Sequence, residues 1–244
     1  MKKPIIGIVS KQYMHADYDQ FALERTFVIN NIKDSVLDHG GVPIGLFSPQ
    51  VGTVGKIVGG GDSDFSHGLT GQEIQNLTAQ LELCDGVLFP GYTHTFGYEY
   101  FVAKYCFDND IPTLGICAGQ NVMARATGGS TKLVQNPEKH DQEIWENRCH
   151  PIIVKPGTMF HKITGTEKFQ INSIHQNVVD VVPPNHIASA HDDDGNIEVI
   201  EATNKKFFLA TRFHPEALYK KCSHCSNIFT HFVKSAKAAK VKES

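Results

Sequence analysis

Short apolar runs alternating with segments of helical periodicity constrain this chain more than any other feature. Ile5–Val9, then 42–47, Gly86–Phe89 and Thr113–Ile116 read as buried strands. Between the first two, residues 21–38 carry Phe21, Phe27, Val28, Ile32, Val36 and Leu37 ahead of Gly40 and Gly41, the pattern of a helix closed by a glycine stop. Thr70 and Glu73 have capping-box spacing, so a second helix opens there and runs to about Leu83. Another is expected from about Gln120 to the Gly128-Gly129 pair. Such β-α-β alternation predicts a three-layer α/β fold, a mostly parallel flavodoxin-like sheet with helices on both faces. In the last third, 187–191, 197–203 and 207–213 are strand-like and separated by turn chemistry, so antiparallel strands are expected to join the sheet there, before a final amphipathic helix over 227–240.

A chain of 244 residues with 41% hydrophobic and 20% charged residues can bury one large core, and one domain over 1–244 is the expectation. The net charge of −3 is spread without a basic stripe, which argues against nucleic acid as a partner. No stretch is long and apolar enough for a membrane span, and the N-terminal run is too short for a signal peptide before Lys11 interrupts it. Six cysteines without a regular framework fit a reducing cytoplasm.

Two irregular regions break the plan. Residues 48–69 include Gly59-Gly-Gly61-Asp-Ser-Asp64 and read as a surface lid or flexible connector, lacking the Lys-Ser/Thr ending of a phosphate loop. Residues 132–150 are rich in Asn, Glu, His and Gln and are expected near the mouth of a site.

Gly115-Ile-Cys117-Ala-Gly119 falls where a strand hands over to a helix, the position at which open parallel sheets bind ligands. Its glycines allow a sharp turn that exposes the Cys117 sulfur, and the helix start lowers the thiol pKa. The same five residues also describe a buried structural cysteine in a glycine-rich turn. Arg212-Phe213-His214-Pro215-Glu216 supplies a base: in extended chain Glu216 lies on the side of His214 and holds its tautomer, completing a Cys117, His214, Glu216 triad. Backbone N–H groups of Gly91, in the Pro90-Gly91-Tyr92-Thr93 loop, and of Ala118 are candidates for an oxyanion hole.

These motifs, with Pro4-Ile-Ile-Gly-Ile8, His39-Gly-Gly-Val-Pro43, Gly128-Gly-Ser130 and Ile171-Asn-Ser-Ile-His175, resemble from end to end the class I glutamine amidotransferase superfamily. Within it they are most similar to the gamma-glutamyl hydrolase-like, peptidase C26 branch that includes gamma-glutamyl-gamma-aminobutyrate hydrolases. The resemblance implies attack of Cys117 on a gamma-glutamyl amide, a thioester intermediate, and release of glutamate or a gamma-glutamyl product and an amine, with a small-molecule substrate and no metal or organic cofactor. It places Tyr92, Gln120, Asn121, Ser173 and His175 near the substrate. Asn121 departs from the family, which carries Gln four residues after the cysteine, and Gln176 stands where the branch often has a second His.

The main expectation is a stand-alone gamma-glutamyl amide hydrolase, because no synthase domain accompanies the glutaminase-like one. The alternatives are a glutaminase subunit that delivers ammonia to a separate synthase partner, and a non-catalytic binding protein of the same fold. A homodimer stays open. Two other cysteine-elbow folds fit less well. An α/β-hydrolase places its acid long before the His, and a stress-protein relative wants an acidic residue near Gly7-Ile-Val9. Cys222-Ser-His-Cys225 has metal-like spacing without a second pair, so it reads as a helix-surface pair. His191-Asp-Asp-Asp-Gly195 reads as a hairpin turn, and Lys234, Lys237, Lys240 and Lys242 as a solvated face.

Overall fold

The computed structural model describes residues 2–14, 24–48, 68–91, 95–134, 136–140 and 148–240. The elements in chain order begin with β1 (Ile5–Val9), β2 (Lys11–Met14), β3 (Glu24–Phe27), α1 (Asn30–Asp38), β4 (Val42–Leu46), α2 (Gly71–Leu81) and β5 (Gly86–Phe89). They continue with α3 (Gly97–Asp108), β6 (Thr113–Ile116), α4 (Ala118–Ala126), β7 (Thr131–Leu133), β8 (His150–Val154), α5 (Met159–Thr164), β9 (Lys168–Ile171) and β10 (Asn177–Val179). The chain closes with β11 (His186–Asp192), β12 (Ile197–Ala202), β13 (Phe208–Thr211), α6 (Pro215–Leu218) and α7 (Ser223–Lys240).

Among the described residues, eleven strands share one sheet whose main path runs β4-β1-β5-β6-β13-β12-β11-β8-β9, with β10 pairing β12 and β7. The first five are parallel, and β13 passes the sheet on to β12 antiparallel. Both faces are covered, which is why the central strands are continuous apolar runs rather than alternating ones. Leu88 and Leu114 pack on one face with Ile32 and Val36 of α1, Phe160 of α5 and Phe229 of α7. Val87 and Phe89 pack on the other with Leu77 of α2, Val102 of α3 and Val122 of α4. The fold is the expected three-layer α/β arrangement with antiparallel strands added toward the C-terminus. Among the described residues no helix is long and apolar enough to cross a membrane.

Local signals explain most boundaries. Thr70 caps α2 through Glu73 N while Glu73 Oε2 accepts from Thr70 N at 2.7 Å, the reciprocal box its spacing predicts. Gly40, at φ 86°, ends the α1 segment in a conformation glycine adopts without strain. The hairpin between β11 and β12 turns at Asp192, whose carboxylate accepts from Asp194 N and Asn196 N, as the turn reading expects.

One expectation is corrected. The helix read over 21–38 starts only at Asn30, because β3 precedes it and pairs with β2. The apolar residues at 27 and 28 suited either element. A helix not expected after the Pro90 loop, α3, begins at Gly97, and its Tyr98 is fully buried. Beside it Glu99 receives Lys11 Nζ at 2.8 and 2.6 Å, both side chains fully buried, so the lysine that ends β1's apolar run is a core ion pair. Most of the supposed 48–69 lid lies outside the described residues, as does Lys242. Lys234 and Lys237 are exposed on α7 as expected.

Candidate functional site

Three neighbouring parallel strands, β5, β6 and β13, end on the same edge, and the segments that follow them meet at one point. Cys117 follows β6 and is the N-cap of α4, with φ 52° and ψ −109°, a conformation that L-residues adopt only when the surroundings hold it there. The flanking glycines make that turn possible. A Cβ on Gly115 would lie 2.5 Å from Met123 Sδ, and one on Gly119 would lie 2.6 Å from the Phe89 carbonyl oxygen. Neither position accepts a side chain without moving the helix from the strand.

His214 follows β13. Its Nδ1 lies 2.7 Å from Glu216 Oε1, and its ring hydrogen-bonds the Cys117 thiol. Glu216 reaches the ring from a different geometry than the extended chain expected. Pro215 opens the short helix α6, and Glu216 sits in that helix's first turn. Proline's fixed φ suits the first helical position, so Pro215 sets the turn that swings Glu216 back. Gly91 closes the third side: a Cβ there would meet His214 Cε1 at 2.7 Å and Cys117 Cβ at 2.8 Å, so bare backbone approaches the sulfur. Ala118 is the first residue of α4, where an N–H has no intrahelical acceptor.

The electrostatics favour an ion pair. Burial pushes the Cys117 thiol up, but the Arg212 guanidinium and the His214 ring outweigh it and bring the pKa down to about 7. Burial also disfavours the charged His214, yet Glu216 and Cys117 together raise it to about 10. The arrangement therefore favours a thiolate beside an imidazolium near neutral pH.

Sequence reasoning missed two supporting residues. Arg212 is buried and donates from Nη1 to the Cys117 carbonyl at 2.8 Å, fixing the strained residue while lending its charge. Asn172 receives His214 N at Oδ1 at 2.9 Å and donates Nδ2 to His214 O at 3.0 Å, clamping the backbone that carries the ring. Both stood inside motifs already singled out, but nothing in their spacing announced the role.

The residues expected at the substrate are placed unevenly. Tyr92 lies outside the described residues. Gln120 is fully buried and donates Nε2 toward Ala210 O at 3.4 Å, and Asn121 is half-buried with Oδ1 unpaired. Ser173 and His175 are buried behind Cys117, the Ser173 hydroxyl 2.9 Å from His140 Nδ1 and His175 Nε2 3.4 Å from Glu198 Oε1. Their segment touches Cys117 through Ile174, whose carbonyl accepts from Cys117 Sγ at 3.7 Å. Cys222 and Cys225 are both buried where α7 begins, which corrects the surface-pair reading. A cavity of about 440 Å³ between β4 and α2, lined by Phe47 and Gln80 among others, shares no residue with this cluster.

A cysteine elbow on the carboxyl edge of a parallel sheet, backed by a His and Glu from the next strand, defines a class of α/β proteins. Comparison with known proteins narrows that class. The family model for Peptidase C26 matches residues 97–216. A glutamine amidotransferase-like protein of Rickettsia prowazekii (strain Madrid E) is 27% identical over 276 residues, covering 89% of this chain and 92% of that protein. A CTP synthase of Pyrococcus horikoshii is 26% identical over 199 residues, covering 68% of this chain but 37% of the synthase, so the chain spans little more than a third of such relatives. Two solved structures share the fold. They are a GMP synthase subunit protein from Thermoplasma acidophilum (TM-score 0.65, 15% identity, all of both chains) and the glutaminase domain of Trypanosoma brucei CTP synthase with bound acivicin (TM-score 0.64, 17% identity, 96% of this chain and 94% of that one). Over residues 97–216 the chain thus resembles the peptidase C26 proteins, and along most of its length it is similar to a glutamine amidotransferase-like protein.

Proposed function

We propose that the chain is a glutaminase: a single domain over 1–244 that hydrolyses the side-chain amide of glutamine through Cys117 and passes the ammonia to a separate synthase partner. The observation that carries this reading is the Cys117, His214, Glu216 constellation at the strained elbow. The Cys117 thiolate adds to the amide carbonyl, and the oxyanion is met by the N–H groups of Gly91 and Ala118. The C–N bond breaks as the His214 imidazolium gives its proton to the leaving nitrogen, leaving a thioester. Neutral His214 then takes a proton from water. The hydroxide adds to the thioester carbonyl, the C–S bond breaks, and glutamic acid and thiolate result. No residue outside the triad has to carry charge through this cycle, and Glu216 keeps His214 in the required tautomer.

The relatives favour glutamine over other gamma-glutamyl amides, since they include CTP synthases, a GMP synthase protein and a glutaminase domain. A second reading, a gamma-glutamyl amide hydrolase acting alone, draws support from the Peptidase C26 match over 97–216. The two separate in one assay of purified protein. Glutamine, gamma-glutamyl-aminobutyrate, gamma-glutamyl-polyamines and poly-gamma-glutamate are each tested for released glutamate, beside Cys117→Ala. Cys117-dependent ammonia from glutamine supports the glutaminase. Turnover of another amide with glutamine inert supports the second reading. Turnover that persists in Cys117→Ala contradicts both.

A further inference from the structure

We propose that His140, His150 and Glu198 form a binding site for one divalent transition-metal ion of the zinc type, set behind the cysteine elbow. One nitrogen from each histidine and a carboxylate oxygen of Glu198 lie within 4.8 Å of one another. Two imidazoles and a carboxylate are a donor set for Zn²⁺, Co²⁺ or Ni²⁺ rather than for Ca²⁺ or Mg²⁺, which take oxygen ligands.

The hydrogen bonds around the rings point their lone pairs inward. His150 Nδ1 lies 3.2 Å from the Pro151 carbonyl, which can only accept, so that nitrogen carries the proton and Nε2 is left as a bare acceptor. His140 Nδ1 lies 2.9 Å from the Ser173 hydroxyl, a second polar contact of the kind that orients metal-ligating imidazoles. Among the described residues, neither Nε2 atom and neither Glu198 oxygen, all of them buried, has a hydrogen-bond partner. Glu198 is fully buried and His140 nearly so. A group of acceptors facing one another cannot satisfy itself, and each unmet buried acceptor is costly; a cation answers all of them at once.

A proton is the competing answer, on the histidines or on Glu198, whose carboxyl is pushed up by burial, and the histidine contacts are long. His140 Nε2 lies 3.3 Å from Asp192 Oδ2, an oxygen that already accepts from Asn196 Nδ2 at 2.8 Å. His175 Nε2 lies 3.4 Å from Glu198 Oε1. Arg212 is close by, but none of its nitrogens hydrogen-bonds the Glu198 carboxylate. A cavity of about 450 Å³ reaches two of the three ligands: it is lined by His140 and His150 with Cys149, Asp192 and Asp193, while Asp194 on its wall is paired with Lys139 at 2.6 Å. Ligands ~2.1 Å from a tetrahedral ion sit about 3.4 Å apart, so the three side chains close in slightly on binding.

The ion would be structural. His140 O accepts from His175 N at 2.8 Å and its ring holds Ser173, so the site grips the 172–175 segment that touches Cys117 Sγ and clamps His214. The reaction proposed above does not use it.

The test uses the full chain, stripped with chelator and titrated with Co²⁺, reading its visible ligand-field absorption, with Zn²⁺ added afterwards to displace it. One equivalent is expected. Glu198→Gln and His150→Ala are expected to weaken binding by about 100-fold or more while keeping the wild-type circular dichroism. X-ray absorption of the wild-type zinc form needs no variant, and is expected to show two imidazoles and no sulfur. A folded wild type that gives no stoichiometric cobalt spectrum overturns the site. So does sulfur scattering, which would place the ion on Cys149 or on the Cys222 and Cys225 pair, or binding unchanged in both variants.

Discussion

At the scale of single residues, the account turns on the charge held at Cys117. Arg212 and His214 bring the thiol down to about 7 against its burial, and Glu216 with Cys117 holds His214 near about 10. The reactive form needs the sulfur deprotonated and the ring protonated. kcat/KM should therefore rise with pH through about 7 and fall as pH climbs toward about 10, two apparent values that belong to the coupled pair. A pH-rate profile checks this. Arg212→Gln removes the largest favourable charge on the thiolate, so its acid limb should move up by about one pH unit, with ultraviolet titration of the thiolate moving in step. A limb that stays put would mean that Arg212 acts on Cys117 only through the carbonyl it binds. Cys117→Ala should lower turnover at least ~10³-fold without unfolding the protein, because the residue removed is the attacking atom itself.

At the scale of elements, close backbone approaches matter more than side-chain bulk. Gly119→Ala would set a methyl 2.6 Å from Phe89 O, forcing α4 off β5; a loss of about 1–3 kcal/mol in urea unfolding is expected. Gly91→Ala meets movable side chains, but these are His214 and Cys117. It should cost ~10²-fold in kcat with far less effect on stability, since it displaces both the proposed catalytic pair and a proposed oxyanion donor. The Lys11–Glu99 pair locks the start of β2 to α3, and both side chains are fully buried. Glu99→Ala should destabilise by roughly 3–5 kcal/mol in the same unfolding assay, the usual consequence of stranding one buried partner. Elements with strong local signals were legible in the sequence: the Thr70 box, the Gly40 stop, the buried runs of β1, β5 and β6. Those without them were missed. The β3 strand hid inside an apolar pattern that also suited a helix, and α3 hid behind aromatic residues whose burial comes from tertiary packing, in part against α4, rather than from any periodicity.

At the scale of the whole molecule, sequence alternation sufficed for the layers because covering both faces of a parallel sheet leaves little freedom in the connections. It also sufficed for Cys117, His214 and Glu216, since glycines around a cysteine and a proline between a His and a Glu are local features with local geometric meaning. What stayed hidden are contacts between segments far apart in the chain. Asn172 holding His214, Arg212 reaching back to Cys117, and His140, His150 and Glu198 converging on one buried point all depend on how β8, β12 and β13 are ordered, which no short window encodes. The central claim is that Cys117 is the covalent nucleophile, and the most direct measurement is the mass of the intact protein after exposure to an electrophilic glutamine analogue such as acivicin, followed by peptide mapping. One adduct per chain on Cys117, lost in Cys117→Ala and slowed by competing glutamine, is the predicted result. A folded wild-type protein that takes up no adduct, or one that carries it on Cys222 instead, would contradict the account.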